Sequence, residues 1–415
     1  MTGADAPGGS EAADDRPTVM VVVGTRPEAI KMAPVVGALR RPGGPTRVRL
    51  VLTGQHTDLV DGALRTFGLE PDLDLEIMQE GQTLYDVATG CLDGIRSALQ
   101  HERPGMVLVQ GDTATVFFSA LAGYFEGVAT GHLEAGLRSG DLRSPFPEEG
   151  FRRLTGVLAD LHFAPTPDAR ENLLREGIPE SRIHVTGNTV VDALLQVVNQ
   201  SGGARQPQLR QLLEGRRPFA LLTAHRRESF GPPLRRIFKA IRSLLELEPE
   251  LEIIYPVHPN PKVMGPAQEL LGGHPRVHLV EPLAYEDLAL GLQGASLILT
   301  DSGGIQEEAP TFGTPLLVLR EVTERPEGIR AGVAELVGTD PDRIIARARA
   351  ILNEPGDNRG TRRRANPYGD GRAALRVAEA VEAFLARSPA QAQPPSAHTP
   401  PATSDVADSD VEKRS

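Results

Sequence analysis

With 415 residues, 40% of them apolar, the chain is long enough for two or three domains with their own cores, which excludes disorder of the whole. Lys and Arg number 44 against 55 Asp and Glu, and the resulting charge of −11 is opposite in sign to that of a nucleic-acid binder. The single cysteine, Cys91, excludes an internal disulfide, and without CxxC or HExxH spacing no metal site is implied, which suits a reducing cytoplasm.

Residues 1–17 carry four acids and one base among small residues, where a secretory signal would place basic and then apolar residues, so neither export nor a folded segment is expected there. No stretch reaches the roughly 18 to 20 apolar residues that cross a bilayer, so no membrane association is expected. Short β-branched runs follow at Thr18–Val23, Val48–Thr53, Met106–Gln110, His162–Ala164 and His184–Thr186, separated by helical segments. The rhythm restarts after a Gly-rich linker, SGGARQPQ, at Phe219–Thr223, Glu252–Val257, Val277–Val280, Leu297–Thr300 and Leu316–Leu319. Strands that are apolar throughout imply parallel sheets covered on both faces. The expected fold is therefore α/β, with two Rossmann-like doubly wound domains facing a central cleft, at 18–189 and 190–370. A last helix, 371–387, is expected to pack back on the first domain, and 388–415 reads as an acidic, Pro-rich disordered tail.

Three motif groups carry chemistry. In VVVGTRPEAIKMAP a buried strand ends at Gly24 and a helix opens with Pro27 near its start, a βα turn suited to an anion, with Arg26 and Lys31 adding charge. A plain βα turn explains the same residues. In TDSGGIQEEAPTFGTP the strand runs into Asp301, Ser302, Gly303 and Gly304, and Glu308 lies one turn into the next helix. Glycines admit a phosphate to backbone N–H groups, Ser302 can donate a hydrogen bond, and Glu308 can accept from ribose hydroxyls; the alternative is a helix capped by Asp301 or Ser302. The third group places Asp112, Glu134 and His225 just after strands, where open parallel sheets face their crevice, with Glu148 and Glu149 in a Pro-flanked loop among arginines. Singly each reads as a solvated salt bridge or packed histidine; together, three acids and a histidine point to acid/base catalysis.

GTRPEAIKMAP, TGQHTDL, GDT, HLEAGLRSGDLRSPFPEE, TGNTVVDAL, AHRRESFG, YPVHPNP, LTDSGGIQEEAP, ERPEG and NPYGDG occur in that order. This set, covering 18 to about 387, closely resembles the non-hydrolysing UDP-N-acetylglucosamine 2-epimerases. The resemblance implies a glycosyltransferase-B-like pair of Rossmann domains that interconverts UDP-GlcNAc and UDP-ManNAc through 2-acetamidoglucal, without metal or redox cofactor. It implies a homodimer and, in many members, a regulatory UDP-GlcNAc site, matched here by Gln55 and His56. Arg26, Lys31, Arg152, Ser302, Gly303, Gly304, Glu308 and Arg325 match substrate-binding positions. Leu283 and Leu288 match the uracil pocket. Asp112, Glu134, Glu148 and His225 match the catalytic set. One departure stands out: the family's PEExNR loop reads PEEGFR here, with Phe151 in place of an amide that donates and accepts. Two other outcomes of the same site are weighed, a hydrolysing epimerase that releases ManNAc and UDP, and a UDP-sugar-dependent glycosyltransferase.

Overall fold

The structure, a computed structural model, describes residues 14–54, 58–77, 81–354 and 365–387. Gln55 and His56, and most of both terminal tails, lie outside the described residues.

The first lobe is a seven-stranded parallel sheet built from β1 (Thr18–Val23), β2 (Arg47–Leu52), β3 (Leu73–Asp74), β4 (Met106–Gln110), β5 (Ala129–Leu133), β6 (Leu161–Ala164) and β7 (Ile183–Val185). Its strand order is 3-2-1-4-5-6-7, so the chain reverses direction across the sheet between β1 and β4. The second lobe holds β8 (Phe219–Thr223), β9 (Glu252–Pro256), β10 (Val277–Val280), β11 (Leu297–Thr300), β12 (Leu316–Val318) and β13 (Glu335–Leu336), in the order 10-9-8-11-12-13. Its reversal lies between β8 and β11, paired in parallel with Thr223 opposite Thr300. Ligand crevices form outside the carboxyl ends of strands at such reversals. Gly24 to Arg26 and Gly111 to Asp112 follow the two strands of the first reversal. His225 and the Asp301–Gly304 turn follow those of the second.

The unbroken apolarity of the strands has a direct cause. Val19, Val21 and Val23 pack into one core, while Met20 and Val22 pack into another on the opposite face. In the second lobe Leu222 and Leu299 face one core, and Leu221 and Ile298 the other. Burying both faces leaves no position for the polar alternation of a half-exposed strand.

The first core runs on between the lobes. Helix α1 (Arg26–Leu39) packs on α7 (Thr189–Gln200), and α7 in turn packs on α11 (Tyr285–Gly294) and α12 (Gly303–Glu308). Ala193, Leu194 and Val197 of α7 therefore belong to one apolar cluster with Ala289 and Leu292 of α11. The Gly-rich linker is also held: the N–H groups of Arg205 and Gln206 donate to Asp287 at 2.7 and 3.0 Å. The final helix, Ala373–Arg387, packs on α1 and α7. Asp192 accepts its first N–H groups, from Ala373 and Ala374, at 3.2 and 2.9 Å, and Glu382 pairs with Arg41 at 2.6 Å. The NPYGDG stretch before it requires glycine. Gly187 has φ +90° and Gly369 φ +136°, and a Cβ on Gly187 would lie 3.1 Å from the Gly369 Cα.

One expectation fails locally. Glu148 and Glu149 do not sit in a loop but open α5 (Glu148–Leu158), with Pro147 at its N-cap. Two carboxylates in a first turn face the positive end of the helix dipole, which favours helix over loop at that point.

Candidate active site

Three groups of side chains gather at the carboxyl ends of the strands. The first spans both lobes. Lys31 Nζ lies 2.6 Å from Glu134 Oε2 and 3.5 Å from Glu307 Oε2. Glu307 also accepts from Asn188 Nδ2 at 3.0 Å and forms an ion pair with Arg325, and Gln110 donates to Glu134. The fold explains the convergence: Lys31 is on α1, Gln110 ends β4, Glu134 follows β5, Asn188 caps α7, and Glu307 and Arg325 come from the second lobe. Glu134 adopts φ +62°, a left-handed conformation uncommon for a side chain with a Cβ and concentrated at functional sites.

The electrostatics of this group are mutual. Burial pulls the Lys31 ammonium down, but Glu134 and Glu307 outweigh it and hold the pKa above the usual lysine value. Burial raises Glu307, yet Arg325 and Lys31 bring it below the usual carboxylate range. Glu308 has the reverse outcome: burial, reinforced by Glu307, pushes it up to about 7. Glu308 and Arg26 both act on Tyr285, whose buried hydroxyl has no hydrogen-bond partner and whose pKa burial raises. Arg26, Lys31 and Glu308 are thus brought to the same inter-lobe region.

The second group lies within the first lobe. Arg152 pairs with Asp112 and, at 2.9 Å, with the fully buried Glu149, which also accepts from the Ser139 N–H at 3.2 Å. Register sets Gln110 opposite Leu133, so Gly111 and Glu134 follow side by side at the carboxyl end of the sheet and Asp112 is one residue beyond. Glu148, half-buried at the start of α5, keeps Oε2 buried without a hydrogen-bond partner. Phe151 turns away from this polar edge: its ring stacks on Phe117 at 5.3 Å and meets Phe118 edge-on at 5.7 Å.

The third group belongs to the second lobe. Asp301 is wholly buried, and its Oδ2 accepts the backbone N–H groups of His225 and Arg226, each at 2.8 Å. Its Oδ1 lies 3.8 Å from His225 Nδ1, and the His225 ring stacks on His258 at 5.5 Å. Burial lowers the His225 pKa while Asp301 opposes that shift. The capping alternative for this turn is not realised: Ser302 occupies the N-cap of α12 but makes no side-chain cap bond, and Asp301 braces the β8 loop instead. Arg226 reaches the same turn, since a Cβ on Gly303 would lie 3.2 Å from its guanidinium; Gly304 beside it is exposed. Leu283 is buried in the apolar cluster and Leu288 packs against it.

Sequence reasoning singled out Lys31, Glu134 and Arg325, which meet, and Asp112 and Arg152, which meet. It passed over Glu307, Gln110, Asn188, Asp301 as a brace, and Glu28. Glu28 Oε2 accepts from the Gly24 N–H at 2.6 Å and its Oε1 from the Thr113 hydroxyl at 2.8 Å, and burial pushes its pKa up to about 7. The QEE pair was the available signal for Glu307, but only the helix phase decides which glutamate turns inward. A small cavity of about 10 Å³ is lined by Gln110, Glu134 and Asn188, while two larger depressions, of about 560 and 1270 Å³ along Pro310 to Gly313, include none of these charged groups. Among the described residues no group of three or more His, Cys, Asp or Glu is placed to hold a metal ion, and no helix is long and apolar enough to cross a membrane.

Two parallel-sheet lobes with an ionic site between their strand ends define a glycosyltransferase-B-like architecture. The glycotransferase of kitacinnamycin, 17% identical, shares the fold with a TM-score of 0.59 over 89% of this chain and 99% of its own. A family model for UDP-N-acetylglucosamine 2-epimerase matches residues 41–382. The UDP-N-acetylglucosamine 2-epimerase of Salmonella typhimurium is 45% identical over 371 residues, 88% of this chain and 98% of that one. The Neisseria meningitidis UDP-GlcNAc 2-epimerase, solved bound to UDP-GlcNAc, is 40% identical with a TM-score of 0.78, over 88% of this chain and 99% of its own. The chain belongs to the UDP-N-acetylglucosamine 2-epimerase family.

Proposed function

We infer that the protein interconverts UDP-GlcNAc and UDP-ManNAc without hydrolysis, by eliminating UDP and adding it back. The observation that carries this reading is the inter-lobe group of Lys31, Glu134, Glu307 and Arg325, which sets a carboxylate beside cations suited to a diphosphate.

The C-2 proton of an N-acetylhexosamine is not activated by a carbonyl on that carbon, so departure of UDP from C-1 must assist its removal. The C-2 proton passes to a carboxylate, the C–H pair forms the C-1 to C-2 double bond, and the C-1 to oxygen pair leaves with UDP. A proton then returns to C-2 on the other face, and a diphosphate oxygen adds at C-1. Two faces call for two proton-transfer groups. Asp112 and Glu134, which follow the paired strands β4 and β5, take these roles with Glu148, whose buried oxygen is free to accept. Arg26, Lys31 and Arg325 stabilise the departing diphosphate, the preorganised electrostatics that dominates many active sites. His225, braced by Asp301, donates to the diphosphate; Ser302, Gly303 and Gly304 approach it through the backbone, and Glu308 accepts from ribose.

Incubation with UDP-GlcNAc in deuterium oxide tests this. UDP-ManNAc carrying deuterium at C-2 is expected, and Glu134→Gln slows the exchange by about 100- to 10,000-fold. Retention of the original hydrogen overturns the mechanism. Free ManNAc with UDP identifies a hydrolysing epimerase, and turnover only with an added acceptor identifies a glycosyltransferase.

A further inference from the structure

Glu307 is the one charged member of the inter-lobe group with no part in the mechanism above, yet it is the most connected. Its side chain is 3% exposed, against 15% for Lys31, 12% for Glu134 and 18% for Arg325. It alone touches Lys31 from the first lobe, Arg325 from the second, and Asn188 at the cap of the shared helix α7. Lys31 is divided between two carboxylates, closer to Glu134 at 2.6 Å than to Glu307 at 3.5 Å. Two cations and two carboxylates balance in charge, so removing one carboxylate leaves an uncompensated cation in a buried place.

We propose that Glu307 is a positioning residue, a resident counter-ion that divides Lys31 with Glu134 and pairs with Arg325 both before and after a nucleotide diphosphate arrives. The proposal rests on the assignment of Glu134 to proton transfer. With Glu307 in place, part of the Lys31 charge is drawn away from Glu134, leaving its carboxylate freer to accept a proton. Without it, Lys31 settles wholly on Glu134 and weakens it as an acceptor, while Arg325 has no anion until UDP arrives. The two halves of the site then respond in opposite directions. Nucleotide binding strengthens because a competing anion is gone, and turnover falls because the acid is over-paired. A brace that merely holds the fold would weaken both.

The test uses the full chain with Glu307→Gln and Glu307→Asp. UDP affinity is read by calorimetry, kcat by product formation from UDP-GlcNAc, and folding by thermal melts. For Glu307→Gln the expected result is a kcat lower by about tenfold or more together with a Kd for UDP lower by about threefold or more. Glu307→Asp, which keeps the charge, recovers kcat to within about threefold of the parent. Weaker or unchanged UDP binding in a folded Glu307→Gln overturns the counter-ion role; should that variant fail to fold, Glu307→Asp decides, an uncorrected kcat overturning it. Glu134→Gln measured alongside separates the two claims. If it loses C-2 exchange while Glu307→Gln binds UDP no tighter, only the role of Glu307 falls; if it keeps exchange, the assignment of Glu134 falls first.

Discussion

Replacing Phe151 by Asn, the residue that the resemblance implies for this loop, is expected to cost stability without altering the products. The ring is 8% exposed, stacked on Phe117 with planes 13° apart and set edge-on to Phe118. A buried phenylalanine hides about 150 to 250 Å², worth about 4 to 6 kcal/mol at 25 cal/mol per Å², and each ring pair adds about 0.5 to 1.5 kcal/mol. Part of that returns because the asparagine stem still packs, but its amide enters a setting built from the rings of Phe117 and Phe118. A net loss of about 3 to 5 kcal/mol is expected, the range of large-to-small core changes. At about 2.1 cal/mol/K of unfolding entropy per residue, a chain of 415 residues loses about 1 °C per kcal/mol, so melting falls by roughly 3 to 6 °C. Differential scanning calorimetry with and without UDP reads the shift, and chromatography reads the products. A melting point within about 2 °C of the parent, or a switch in the ratio of UDP-ManNAc to free ManNAc, refutes the assignment of Phe151 to packing.

The pH dependence of stability follows from groups that oppose one another. Burial holds His132 at about 3 and His162 at about 4, below the unfolded histidine value, so each costs stability as pH falls from 6.5 towards its folded pKa. Burial raises Glu28 and Glu308 to about 7, so each costs stability as pH rises from 4.5 to 7 and returns it on acidification. For these four groups the contributions to the unfolding free energy read from urea melts nearly cancel from pH 6.5 to 4.5, and below that the free energy falls by up to about 1.4 kcal/mol per pH unit for each buried histidine still titrating. A steady decline beginning at pH 6.5 contradicts the raised carboxyls. Oligomeric state is the other expectation. Helix α4 (Ala114–Glu126) packs on α5, and both leave large apolar side chains in solvent, Tyr124 and Phe125 on one and Leu154 and Val157 on the other, Val157 77% exposed. A second copy covering this face would be displaced by Val157→Glu, giving a monomer by light scattering with its melting curve in place; a parent chain that is monomeric refutes the covering.

The doubly wound lobes were legible because burial on both faces writes itself into sequence as unbroken apolar runs. Thr18–Val23, Met106–Gln110, Phe219–Thr223, Val277–Val280 and Leu297–Thr300 form strands with those bounds. Leu73–Asp74 and Glu335–Leu336 leave no such trace, since a two-residue edge strand has no pattern to repeat. The site was legible where a charged residue follows a strand, as at Asp112, Glu134 and His225. It was not legible where the deciding fact is a partner from another segment. Asp301 looked like a helix cap, and its use of both β8-loop N–H groups is a tertiary contact that no local spacing encodes. Glu307 and Glu308 are adjacent and chemically identical in sequence, and the fold gives them opposite pKa shifts by turning one towards Lys31 and Arg325.

The same geometry gives the two acids that follow β4 and β5 different dependence on the lobes. Asp112, Arg152 and Glu149 all belong to the first lobe, so their pairing is indifferent to the position of the second. Glu134 is held by Lys31, and Lys31 is shared across the gap with Glu307 at 3.5 Å. A change of a few tenths of an ångström in lobe separation alters that sharing at once, because a charge pair weakens in inverse proportion to distance and more steeply where water is excluded. On the proposed mechanism, a diphosphate seated between Lys31 and Arg325 would change it as well. Of the two carboxylates, the fold thus couples only Glu134 to the second lobe, so on the proposed mechanism proton transfer at one face of C-2 would be tied to the presence of UDP while the other face would keep a fixed environment.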